Sequence, residues 1–130
     1  MGFSSGLANK TGASNTYLGS NAGRSNVTGS YNVVIGESSA YSASSGSGNT
    51  IIGSEAGYNL TSGNSNIFLG NSAGYNETSV SNRLYIENSA AGYSGSLIYG
   101  EFDNDYLRFN ATVDMYGRLH FPAGGAVLWV

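Results

Sequence analysis

The sequence predicts an all-β chain: a β-solenoid, or β-roll, of about 17-residue coils, followed by a β-rich C-terminal cap or transition region. Three observations carry this prediction. "NTIIGSEAGYN" at residues 49–59 returns as "NIFLGNSAGYN" at 66–76, so several columns of the sequence share one period. The runs inside that period, "YNVVIG" and "NTIIG", are short, β-branched and bounded by Gly, Asn and Ser, as strands between turns are. No stretch shows helical spacing, and the period is too short for paired-helix repeats.

The coils open at Asn15, Asn32, Asn49 and Asn66, and a last, modified coil ends near Ile86, so the repeat domain spans 1–86. Gly12, Gly29, Gly46 and Gly63 form one glycine row and Gly19, Gly36, Gly53 and Gly70 another, suited to φ > 0 or to close approach of the next coil. The Asn that opens each coil either serves the turn alone or stacks its amide into a ladder.

Within each strand, alternation sends neighbouring side chains to opposite faces. The row Leu18, Ile35, Ile52, Leu69 and Ile86 is predicted to line the coil interior. The alternate row, Tyr17, Val34, Ile51, Phe68 and Tyr85, is apolar as well and would lie exposed on a lone coil stack. It is therefore predicted to be an interface between copies of the chain, unless residues 87–130 fold over it.

The pattern changes at Arg83, where the opening Asn is lost, and at Glu87, where the corner Gly is lost. In the second region, 87–130, "SLIYGEF" and "YLRFN" read as strands about the turn Asp103-Asn104-Asp105, and "ATVDMYGRLHF" as a further pair about Gly117. An open solenoid end templates aggregation, so this region is expected to cap the stack or lead into a shaft. The start, "MGFSSGLANK", lacks the charged and apolar regions of a signal peptide and reads as the cut end of a longer chain. The apolar ending "GGAVLWV" is expected to be buried in an oligomer or to lead into a removed segment.

Charged residues are only 10% of the chain, so Ser, Asn, Thr and Gly must keep it in solution. A net charge of -3 with five scattered Lys and Arg makes no basic stripe for nucleic acid. No apolar run nears the roughly 20 residues that cross a bilayer, so no membrane insertion is expected.

Catalysis and cofactors are not expected either. There is no Cys, and the single His120 is assigned to a surface or interface in "RLHF". Asp103, Asp105 and Glu101 lack the spacing of a calcium loop. A glycosidase reading needs two carboxylates on adjacent coils, and Glu37, Glu55 and Glu77 stand in different columns. Asn-x-Thr at Asn9, Asn26, Asn59, Asn76 and Asn110 is read mainly as turn chemistry. Tyr41, Tyr58 and Tyr75 recur once per coil. They are candidate glycan contacts, with mutual stacking at a corner the preferred role.

The units "NTYLGSNAG", "NTIIGSEAGYN" and "NIFLGNSAGYNET", with "SNRLYIENS" and "LIYGEFDNDYLRFN", resemble the repeat region of bacteriophage tail-fibre and bacterial fibre proteins. They are also similar to the β-roll head of trimeric autotransporter adhesins. The resemblance spans residues 9 to about 121. It implies a parallel homotrimer with a strand row facing the three-fold axis, an extracellular place on a virion or cell-surface fibre, and a role as rigid spacer with host-surface attachment to a glycan or receptor. The competing expectation is a monomeric solenoid that binds a regular surface such as ice or polysaccharide, using the column that holds Thr16 and Thr50.

Overall fold

The computed structural model describes residues 2–117. Seven strands form one sheet in chain order: β1 (Thr16–Leu18), β2 (Val33–Ile35), β3 (Thr50–Ile52), β4 (Ile67–Leu69), β5 (Arg83–Ile86), β6 (Ile98–Glu101) and β7 (Tyr106–Phe109). β1 to β5 pair in parallel, each residue against the one seventeen positions on, as in Tyr17↔Val34↔Ile51↔Phe68↔Tyr85. The predicted β-solenoid is therefore present, with about 17 residues to a coil. Residues ahead of β1 already stack on the next coil, since the Gly6 and Ala8 N–H groups donate to the Ala22 and Arg24 carbonyls.

Pairing changes sense after β5. β6 lies antiparallel to β5 and β7 antiparallel to β6, with the Asp103-Asn104-Asp105 turn between them as predicted. The strand pair predicted about Gly117 is a correction: residues 111–117 contain no strand. The rest of that segment, His120 included, and the "GGAVLWV" ending lie outside the described residues.

The predicted assignment of the two strand rows is inverted. Val34, Ile51, Phe68 and Tyr85 are buried within the single chain, at 0–2% exposure, and Tyr17 is partly buried against them. The row predicted as core points outward: Leu18 is 51% and Ile52 37% exposed, and Ile35, Leu69 and Ile86 are half-buried. The reason is parity. Each opening Asn shares a face with the residue two positions on. Asn32, Asn49 and Asn66 are buried and Asn15 partly so, and the Tyr17–Tyr85 row goes in with them. Size agrees with parity, because the small column across the coil leaves room for large side chains. A β-carbon on Gly74 would lie 2.8 Å from the Phe68 ring.

The asparagines do form the ladder. Each Oδ1 accepts the backbone N–H of the next Asn, at 2.9–3.0 Å, and its Nδ2, at 3.0–3.1 Å. Each Nδ2 also donates to a carbonyl of the corner, Gly46 for Asn32 and Gly63 for Asn49. For Asn32 and Asn49 both donors and both acceptor sites are filled, which is what burial of a primary amide demands. The last rung hands over to the Arg83 backbone N–H.

Two further corners per coil carry side chains in the left-handed region. Asn21, Ser38, Glu55 and Ser72 have φ of 53–57°, and Ser14, Tyr31, Ser65 and Asn82 have φ of 56–60°. Among the N–H groups that bond between coils outside the strand pairing, the larger share donate forward, as Thr50 does to Asn66. At these corners the N–H turns back, as Glu55 does to Glu37 and Ser65 to Ser47. Each coil is thereby bonded to both neighbours, which offsets the roughly 1–2 kcal/mol such a conformation costs.

The interior is apolar at its middle and polar-tipped at its ends. The Asn26 amide donates to the Tyr17 hydroxyl, and the Tyr85 hydroxyl donates to Glu77 at 2.7 Å. Beyond Tyr85 the column continues through Tyr99, edge-to-face at 5.2 Å, whose hydroxyl donates to Glu101 at 2.6 Å. Burial, then the accepting carboxylate, pushes Tyr99 up to about 12 and Tyr85 further in the same direction. An unfolded tyrosine releases its proton near 10, so both contributions are whole below that pH. Above it the unfolded chain ionises while the fold holds its protons. Stability then falls by at most about 1.4 kcal/mol per pH unit for Tyr85. It falls by less for Tyr99, whose hydroxyl and its Glu101 partner lie nearer solvent. Urea midpoints should drop between pH 10 and 12, and Tyr85→Phe should flatten the decline. A pH-independent midpoint over that range would contradict this account of the core.

Candidate functional site

Tyr41, Tyr58 and Tyr75 come together, but as a stack. Their ring centroids are 5.0 and 5.2 Å apart and their planes within 5° and 15° of parallel. Arg24 closes one end, its guanidinium 5.3 Å from the Tyr41 centroid and its Nη1 donating to the Tyr41 hydroxyl. Both faces of Tyr58 are thus occupied by its neighbours. Sugar stacking needs a ring face, and Tyr41 and Tyr58 have neighbours on both of theirs, while Tyr75 has a ring neighbour on one side. Asn9 and Asn26 serve their turns, each Oδ1 accepting the N–H of the glycine three residues on, Gly12 and Gly29, at 2.8 Å. Glu77 accepts from the Tyr85 hydroxyl, and Glu37 and Glu55 are exposed on adjoining coils.

A second arrangement was not singled out from the sequence. Register places Tyr99 opposite Arg108 and Glu101 opposite Tyr106, so four side chains of the β6–β7 hairpin share one face. Tyr93, from the segment before β6, and Asn104, from the turn, complete a cleft of about 400 Å³. The Arg108 guanidinium lies 5.2 Å from the Tyr99 centroid and 5.4 Å from that of Tyr93. Its Nε and Nη2 are buried without a hydrogen-bond partner. Such contacts with aromatic rings favour the cation but fill none of its directional N–H valences.

Glu101 accepts from the Tyr99 hydroxyl and from the Asn104 amide. These bonds hold its carboxyl below the usual range, with Arg83 and Arg108 adding to the effect. At neutral pH it is an acceptor and not a proton donor. Arg83 is drawn to the other side of the turn, 2.8 Å from Asp103. The cleft therefore offers a cation with unused donors, an anion, an amide and three phenols, which is the chemistry of binding. The alternation in "YLRF" was the available signal, but it becomes legible only once the turn has set the register.

Among the described residues no group of three or more His, Cys, Asp or Glu is placed to hold a metal ion, and no helix is long and apolar enough to cross a membrane. Comparison with protein-family models, with curated proteins and with solved structures finds no match for this chain.

Proposed function

We propose that the chain is a structural segment of a trimeric extracellular fibre, on a virion or as a surface adhesin, serving as a rigid spacer with a part in host-surface attachment. The observation that supports this reading is the outward face of β1–β5. Apart from Thr16 and Thr50, its two rows are aliphatic: Val33, Ile67 and Leu84 in one, Leu18, Ile35, Ile52, Leu69 and Ile86 in the other. The face carries no charge and is only partly shielded by its own chain. Soluble monomers rarely expose so continuous an apolar surface, and copies set about a common axis would cover it. The role first given to the Tyr17–Tyr85 row passes to this one. Axial hydrogen bonding in every coil suits a stiff spacer, and the antiparallel β6–β7 hairpin suits a cap, since no further parallel coil can follow it directly.

Light scattering during size exclusion, over a hundredfold dilution, tests this reading. A mass near three chains at every concentration is expected. A monomer throughout would overturn it and favour the second reading, a solenoid that presents the same face to a regular surface such as ice or polysaccharide, with Thr16 and Thr50 in register on it.

A further inference from the structure

We infer that the cleft formed by Tyr93, Tyr99, Glu101, Asn104, Tyr106 and Arg108 is a binding site for a neutral saccharide. The inference rests on the attachment reading above only for its ligand class.

Four observations converge on it. Tyr106 and Tyr93 are 45% and 60% exposed at the cleft, whereas Tyr41 and Tyr58 are flanked on both ring faces within their stack. A tyrosine ring offers an apolar face to the C–H side of a pyranose and a hydroxyl to its rim. The Arg108 Nε and Nη2 have no hydrogen-bond partner among the described residues, so an acceptor brought to the cleft by a ligand would satisfy them. Glu101 and Asn104, already joined to each other, present an acceptor and a donor at the rim, the pair that adjacent sugar hydroxyls match. The volume of about 400 Å³ falls within the range of small-ligand sites.

Charge selects the neutral class. Within the cleft Glu101 balances Arg108, while Asp105 lies in the adjoining turn and Asp103 is paired with Arg83. A carboxylated sugar would meet Glu101 at close range, a like-charge juxtaposition that costs affinity.

Saturation-transfer NMR tests the inference, with methyl glycosides of glucose, galactose, mannose and N-acetylglucosamine as neutral probes and N-acetylneuraminic acid as the anionic one. Transfer to at least one neutral probe is expected, weakened tenfold or more in Tyr106→Ala and in Arg108→Gln. Tyr58→Ala should leave it unchanged. Tyr106 lies on an edge strand and is 45% exposed, with one edge-to-face contact to Tyr99. Its loss should leave the chain folded with at most a small drop in melting temperature, checked on the same samples. No transfer to any neutral probe, transfer indifferent to Tyr106→Ala, or transfer to the acidic sugar alone would overturn the inference. Chain mass measured in parallel separates the two proposals. A trimer that binds no sugar removes this site and leaves the fibre, and a monomer that binds one does the reverse.

Discussion

Asn49→Asp is expected to lower stability by about 4 kcal/mol at neutral pH, because it nearly preserves shape while removing both amide donors and burying a charge. In the folded chain Asn49 is 3% exposed and fills four hydrogen bonds through its side chain. With Asp in its place, the bonds from Nδ2 to the Asn32 Oδ1 and the Gly63 carbonyl become contacts between acceptors. The Asn66 N–H and Nδ2 keep an oxygen to donate to, so the loss is confined to the two missing donors and the unpaired charge. Burial raises the carboxyl's folded pKa above its unfolded value near 3.9. The deficit relative to wild type should therefore be full above the folded pKa and shrink as pH falls through it. Urea unfolding of both proteins at pH 7 and pH 4 measures this, and an equal or near-zero deficit at both would argue against a dry ladder.

Gly53→Ala should be nearly as damaging, at about 4 kcal/mol from backbone strain and overpacking together. Gly53 has φ of +138°, and a β-carbon there would lie 2.2 Å from the Gly70 carbonyl oxygen. That atom is backbone of the next coil, so no side chain can yield. Parallel strands sit about 4.8 Å apart, and forcing one contact open strains the rungs on either side. Gly48→Ala is the control. Gly48 also has positive φ, at +69°, but the nearest atom to its β-carbon would be 3.7 Å away. Tyr31 and Ser65 already hold that column's conformation with full side chains. Its loss should stay within about 1–2 kcal/mol, the cost of the left-handed conformation alone. Equal effects at the two glycines would mean that approach between coils is not what fixes the row.

Period, strand positions and the hairpin were legible because each is written in several columns at once. The two glycine rows were legible as a need for glycine, though only the Gly19–Gly70 row has positive φ. The Gly12–Gly63 row is there for approach alone, with a β-carbon on Gly46 falling 2.2 Å from the Gly63 oxygen. The side each row faces was misread, because a three-residue strand with apolar residues on both faces carries no contrast in hydropathy. The parity of the buried Asn with Tyr17 and Phe68 held the answer, as did the small Ala-Gly column that those rings need opposite them. The left-handed corners at Glu55 and Tyr31 left no mark, since their conformation is held by bonds to the preceding coil and not by residue type. The cleft on the hairpin was hidden for a related reason: Tyr93, Tyr99 and Arg108 meet through register, and no period repeats them.

The chain has no cysteine, so single thiols can report on the two strand rows without interference. Ile51→Cys and Ile52→Cys, each treated with a maleimide under native conditions and again in denaturant, test most directly whether the outward face is covered by other copies. The Ile51→Cys thiol should label only on unfolding, since Ile51 is 1% exposed within its own chain. The Ile52→Cys thiol, on a side that is 37% exposed in one chain, should be protected at high concentration and label once dilution or mild denaturant separates the chains. Labelling of Ile52→Cys at the rate of a free thiol, at every concentration, would contradict the interface on β1–β5.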